Sequence, residues 1–338
     1  MRSTRRITKA VRHPVLSAAV LAVMLAGSAA MTLGQENEAE AGPLVLKKQG
    51  SFFVGGEIIH TDAASGTPAG PFFFGGTNTG DIAVNQMYVR YQTPEASRVP
   101  VVLIHGGDLA GTCYETTPDG RMGWDEYFVR KHHSVYIPDQ VTRARSGFDP
   151  TTINEVRLGA RPASQLPNMF VIPEQVAWTL FRFGPTFGTP YPDEQFPVEA
   201  ADQLAKQVIP DQNSVLPAIN PTWTHLAALA VKARGAVLLG HSESGFYPEQ
   251  AALIDPSGVK GMITIETSCT TTLSAQQLAI LARIPTLVVF GDHLDGPSTL
   301  NWPSFFQSCQ TFVHQLNAAG GRDNAPPTVR WSLLAIAI

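Results

Sequence analysis

The chain has 338 residues, of which 44% are hydrophobic and 15% charged, with a formal net charge of −4. That is enough length and apolar material for one large α/β domain with an insertion, or for two smaller domains. The charge balance does not suggest the basic face that a nucleic-acid partner requires, and 29 glycines and 26 prolines set between recurring apolar runs indicate many loops, not disorder.

The first segment stands apart. Arg2, Arg5, Arg6, Lys9 and Arg12 form a basic stretch, and an apolar run from Val15 to Gly27 follows it. Small residues come next at Ser28, Ala29 and Ala30, then an acidic stretch from Gln35 to Glu40. This layout predicts a secretory signal peptide over 1–34, cleaved after Ala30 or Gly34. The apolar run is shorter than the ~20 residues a spanning helix needs, and no later run is long enough to cross a bilayer. A secreted or periplasmic protein without a stable membrane span is therefore expected. Export allows a disulfide to persist among Cys113, Cys269 and Cys309. The pair expected is Cys269 with Cys309, leaving Cys113 free.

A domain over 44–338 follows. It opens with β-rich pieces at Ser51–Gly55, Pro71–Phe74 and Gln86–Gln92, split by Gly-rich turns. Val99–Ile104 is a short continuous apolar run, as suits a strand buried on both faces of a parallel sheet. A helix is predicted over Gly123–His132, with Trp124, Tyr127 and Phe128 on one face, and a strand over Ser134–Pro138. From Pro221 onward strand and helix alternate. Helices are predicted at Pro221–Arg234, Phe246–Ile254, Ser274–Ala282 and Ser304–Ala319, and strands at Ala236–Leu239, Val259–Ile265, Thr286–Phe290 and Thr328–Leu334. The alternation predicts an α/β fold with a doubly wound, mostly parallel sheet. Residues 150–220 break the rhythm. They are rich in proline and carry Phe170, Trp178, Phe181, Phe183, Phe187, Tyr191 and Phe196, which reads as a cap insertion packed over the strand ends.

Two loops carry chemistry. Gly240-His241-Ser242-Glu243-Ser244-Gly245 lies between a buried strand and a helix, where a sharp turn lifts a serine above the carboxyl edge of the sheet. Small residues two before and two after are needed for close packing; Gly240 fits, and Ser244 is small enough. Ser242 is the predicted nucleophile, and the flanking His241 and Glu243 read as packing or solvent groups. The second loop, His105-Gly106-Gly107-Asp108, follows the first buried strand. Acyl transfer needs two N–H donors aimed at the oxygen that gains negative charge. One is predicted from the N–H of Glu243, the other from Gly107 or Asp108.

These loops, together with Pro138-Asp139 and Arg145-Ser146-Gly147, resemble those of the α/β-hydrolase superfamily. More narrowly, Gln86–Gln92, Glu115–Tyr127, Pro248-Glu249-Gln250 and Leu287–His293 resemble secreted microbial esterases that carry two adjacent cysteines in the oxyanion loop. Here Gly107 and Asp108 stand in their place, so that vicinal disulfide cannot form, and Asp108 opposes an oxyanion unless its side chain points away. The resemblance implies a serine esterase taking a small-molecule ester, with no cofactor. No metal is expected, since no His/Cys/Asp cluster has ligand spacing.

The acid that orients the catalytic base has two candidates at strand ends, Glu266 and Asp292; the esterase resemblance implies Glu266. The family order is serine, acid, histidine, with the histidine after the last strand. Only Ala335–Ile338 follow that predicted strand, and the last histidine is His314. The resemblance therefore reads the chain as C-terminally truncated, without its final helix and histidine loop and with impaired activity. His293 is a candidate substitute base, whereas His105 and His225 read as structural. The alternative is a catalytically dead hydrolase fold kept for binding a ligand or partner.

Overall fold

A computed structural model of the chain describes residues 42–66, 78–217 and 219–320, and the backbone of 331–333. The predicted leader over 1–34 and the predicted strand at Pro71–Phe74 lie outside these residues.

The first two strands, β1 (Lys48–Thr61) and β2 (Gly80–Thr93), pair antiparallel from Lys48↔Thr93 to Thr61↔Gly80. Both extend well past the pieces expected from sequence. Gly55-Gly56 had marked an end, but it is a bend: the two glycines sit at φ 64 and 88 opposite Asn85 at φ 59. Pairing then resumes at Glu57↔Val84. Position 55 must be glycine for a second reason. A Cβ there would fall 1.9 Å from a ring carbon of His225, whose Nε2 lies 2.8 Å from the Asn85 carbonyl oxygen.

Six further strands complete the sheet: β3 (Arg98–Ile104), β4 (His133–Pro138), β5 (Ala236–His241), β6 (Val259–Ile265), β7 (Thr286–Phe290) and β8 (Trp331–Leu333). The eight-stranded order is β1-β2-β4-β3-β5-β6-β7-β8. β2 meets β1 and β4 antiparallel, and every other pairing is parallel. The helices are α1 (Trp124–Arg130), α2 (Thr151–Arg157), α3 (Glu174–Leu180), α4 (Ala201–Ala205), α5 (Pro221–Lys232), α6 (Tyr247–Ile254), α7 (Ala275–Leu281) and α8 (Trp302–Ala319). The mostly parallel, doubly wound α/β architecture is the one the alternation predicts.

The apolar run of β3 divides by its period of two. Val102 and Ile104 face one core with Leu226 and Leu229 of α5, Ala251 of α6, Leu281 of α7 and Phe312 and Leu316 of α8. Val101 and Leu103 face another with Val237, Ile263, Leu287 and Phe128 of α1. Truncating one such fully buried leucine to alanine costs about 2–5 kcal/mol in cores of this kind. α8 begins two residues before its expected start, because Pro303 sits in the first turn, where its missing N–H costs nothing. The Asn301 side chain caps that turn by accepting from the Ser304 N–H at 3.1 Å.

Cys269 and Cys309 form a disulfide with Cα atoms 4.7 Å apart, tying the loop after β6 to α8. Cys113 is free. Among the described residues no helix is long and apolar enough to cross a membrane. The strand order reverses at β3, with β4 on one side and β5 on the other. At such a reversal the loops leave in opposite directions and open a crevice at the carboxyl ends. The loops after β3 and β5 therefore meet.

Candidate active site

Each half of this crevice is built from residues that tolerate unusual crowding. β5 is buried along its whole length and ends at His241. Ser242 follows with φ 54, a left-handed backbone that costs an L-residue energy and persists only where its surroundings enforce it. A tight helical turn, Ser242–Phe246, then leads into α6. At Gly240 a Cβ would lie 2.1 Å from the Ser244 carbonyl oxygen, so only glycine fits. Ser244 is more than a small filler. Its hydroxyl lies 2.8 Å from the Ile104 carbonyl oxygen and accepts from the His241 N–H at 3.1 Å, joining the elbow to the end of β3.

The loop after β3 packs onto that elbow. A Cβ on Gly106 would come within 3.1 Å of both the Ser242 Cβ and His241 Nδ1, and one on Gly107 within 3.7 Å of the Glu243 Cβ. The loop is held from behind. His105 Nε2 accepts from the Gln140 N–H at 3.0 Å, and the Gln140 amide donates to the His105 carbonyl at 2.6 Å. Burial above all pushes the His105 imidazole down to about 4, so it stays neutral, consistent with its structural reading. Asp139 accepts from the Gly111 N–H at 2.8 Å and from Arg145 Nε at 2.6 Å, which explains the Asp-Arg pattern of the loop after β4.

Ser242 opens into a cleft of about 680 Å³ counted out to solvent. Its apolar wall comprises Leu109, Cys113, Pro118, Leu180, Phe181, Phe183, Leu204 and Trp302; the polar groups are Arg182, Gln207, His241, Ser242 and Glu266. Leu180 to Phe183, Leu204 and Gln207 belong to the proline-rich segment 150–220, which supplies one side of the cleft. That side is stiffened by stacked Phe183 and Phe196 rings, with centroids 4.0 Å apart, and by Trp178 edge-on to Phe183.

Of the two carboxylates named from sequence, Glu266 lines the cleft with Ser242, whereas Asp292 is half exposed and does not. Glu266 has φ 53 and is buried. Its Oε1 accepts from Arg182 Nη2 at 2.7 Å and from the Gly291 N–H, while its Oε2 has no hydrogen-bond partner. Arg182, itself at φ 60, also donates from Nε to the Asp292 carbonyl at 2.7 Å and lies 4.6 Å over the Trp302 ring. Nothing in a proline-rich insertion marks Arg182 in sequence as the partner of a carboxylate 84 residues away.

The remaining candidates fall elsewhere. His293 does not line the cleft; its Nε2 is 3.0 Å from Asp193 and its ring is stacked 3.7 Å from Tyr191. Asp193, Asp292 and His293 bring their ligand-capable atoms within 4.8 Å of one another, a grouping that sequence spacing did not reveal. His241, read as packing, is buried yet lines the cleft, with Nδ1 unpartnered. Burial, then the Arg182 and His105 charges, push it down to about 3. Glu243, read as packing or solvent, is ion-paired to Arg143 at 3.1 Å and bonded to Asn213. Asp108 is buried beside the same cluster and absent from the cleft lining. Its carboxyl is pushed up to about 6, by burial first and then by the Asp211 charge.

No family model matches the chain. Over 210 residues, 60% of this chain and 54% of the relative, it is 26% identical to a protein of Fungal sp. (strain ATCC 74256) described as the probable secreted lipase phiG. The chain thus matches about half the length of that curated relative. A solved structure described as a novel bacterial esterase is 44% identical, covers 87% of this chain and 88% of its own, and superposes with a TM-score of 0.78. With that identity and coverage, and a mostly parallel sheet whose order reverses at β3, the chain belongs to the α/β-hydrolase superfamily.

Proposed function

We propose that the chain is an exported carboxylic-ester hydrolase working through an acyl-enzyme on Ser242. One observation carries the reading: a serine at φ 54 on a strand-to-helix turn lines an apolar cleft together with a buried carboxylate that has one oxygen unpartnered. The relatives described as an esterase and a lipase support esters as the substrate class. The relative described as a probable secreted lipase, and the Cys269–Cys309 disulfide, support export after removal of a leader over 1–34.

In this reading Ser242 Oγ attacks the ester carbonyl carbon and its proton passes to water in the cleft. The carbonyl oxygen takes the negative charge opposite the N–H groups of Glu243 and Gly107. Collapse of the adduct expels the alcohol with a proton, and water then releases the acid from Ser242. Glu266, through its unpartnered Oε2, supplies the carboxylate that stabilises positive charge on the proton acceptor. Residues 150–220 act as a cap, and its apolar wall selects apolar or aromatic esters.

The base is the weak member. A general base works best with a pKa near the working pH, and His241, the histidine that lines the cleft, is pushed down to about 3. Binding and the N–H donors alone sustain roughly 10³–10⁴ over water in serine hydrolases, and turnover of this chain is expected in that range. Hydrolysis of p-nitrophenyl esters of increasing acyl length tests the reading. The protein should act above background, and Ser242→Ala should abolish the excess; equal rates for the two would reject it. The pairing of Arg182 with Glu266 favours a second reading, a hydrolase fold retained for binding. It predicts that apolar esters bind without turnover, equally to both proteins.

A further inference from the structure

Arg143 sits in the loop between β4 and α2, and its side chain is completely buried. A buried guanidinium is costly unless paired, and this one faces three carboxylates from three parts of the chain. Its Nη2 donates to Asp211 and to Glu243 Oε2 at 3.1 Å, and Asp108 lies in the same charge cluster. Nε and Nη1 have no hydrogen-bond partner. Both neighbours, Thr142 and Ala144, have left-handed backbones at φ 71 and φ 40. Strain on both sides of one inward-pointing residue persists only where the surroundings over-determine it, as they do at functional sites.

The partners of Arg143 are side-chain carboxylates on residues that flank the proposed oxyanion position. Glu243 follows Ser242, and its side chain packs against Gly107. Asp211 anchors a stretch of the 150–220 segment: it accepts from the Asn213 N–H at 2.8 Å, and Ile209 donates its N–H to the Asp108 carbonyl at 2.8 Å. One guanidinium thereby ties the residue after the serine, the glycine loop and the insertion above them.

We propose that Arg143 is the positioning residue of the oxyanion side, fixing the Glu243 peptide through one carboxylate and clamping residues 209–213 onto the Gly107-Asp108 turn through another. The proposal rests on the Ser242 reading for its catalytic meaning and on the Arg143 contacts for its structural meaning. Arg143 touches no reacting atom. It acts by holding two N–H donors at one spacing, and misplacement on the order of 1 Å costs about 100-fold in rate.

The test uses the full chain and two milder variants, Arg143→Lys and Asp211→Asn, since removing the guanidinium outright leaves buried carboxylates unpaired. Inactivation by an alkyl fluorophosphonate separates probe affinity (KI) from the limiting rate of phosphonylation (kinact). Backbone hydrogen exchange is followed over 105–111, 205–213 and 259–265. The expected result is kinact about 10- to 100-fold lower in both variants with KI within about twofold. Exchange should be faster over 105–111 and 205–213 and unchanged over 259–265. A parallel loss of affinity and rate, with faster exchange over 259–265 as well, would reduce Arg143 to a general stability element and overturn the proposal. If the unaltered protein is not phosphonylated, the Ser242 reading fails separately. Faster exchange confined to the two loops then upholds the clamp, and unchanged exchange there overturns it.

Discussion

Glu266 carries two donors on one oxygen and none on the other, and it lines the same cleft as Ser242. We propose that Oε2, buried and without a partner, takes the N–H of an imidazole whose other nitrogen accepts from Ser242. Added imidazole is therefore expected to raise aryl-ester turnover by at least about tenfold over the same mixture with Ser242→Ala, general-base assistance being worth about 10²–10⁴ in full. Glu266→Gln should remove most of that gain, because an amide cannot stabilise an imidazolium. Equal gains in Ser242→Ala would show that imidazole acts in free solution. The adjacent Arg182 charge limits the effect, since it disfavours a second cation beside Glu266.

At the scale of the element, the turn after β5 is held by contacts that tolerate no added atoms. Gly240→Ala drives a Cβ to 2.1 Å from the Ser244 carbonyl oxygen. It is expected to destabilise by about 3 kcal/mol or more, read as a fall in the urea midpoint; an unchanged midpoint would mean the turn is looser than described. The disulfide acts on a second element. Closing a loop of 40 residues between Cys269 and Cys309 restricts the unfolded chain by about 4 kcal/mol. Cys309→Ser, with Cys269→Ser to avoid a free thiol, should lower unfolding free energy by about 2–4 kcal/mol, and a loss under 1 kcal/mol would contradict this. The strands and helices behind these turns were legible in sequence, because continuous apolar runs and Gly or Pro punctuation report local physics. The bend at Gly55-Gly56 was not, since the same glycine pair that ends a strand can also bend it and let the His225 ring pass.

For the whole molecule, stability against pH follows from groups that burial forces neutral. Glu249 is pushed up from 4.5 to about 7, chiefly by burial, and Asp108 to about 6. For a carboxyl raised on folding, the stabilisation is present below its unfolded value and is lost as pH rises through the folded one. His105 and His241 run the other way, held down at about 4 and about 3, so their contribution is present above 6.5 and lost as pH falls. The melting temperature should therefore fall on either side of a maximum near about pH 6. Relative to the parent, Glu249→Gln should gain melting temperature as pH rises from about 5 to 7, and a parallel curve would contradict the assignment. Ser242 and Glu266 stand out in sequence as candidates because each directly follows a buried strand, and Gly107 because it lies in the glycine loop just after β3. Arg143 and Arg182 escaped notice because their meaning lies in carboxylates 68 to 100 residues away, which only folding brings near.

We propose that the cleft presents a reactive Ser242 hydroxyl. Exposure of the folded chain to a fluorophosphonate, followed by mass mapping of the peptides, tests it most directly. A single adduct on Ser242, absent from Ser242→Ala, is the predicted result. A folded protein that stays unmodified at saturating probe, or one modified at another serine, would contradict it.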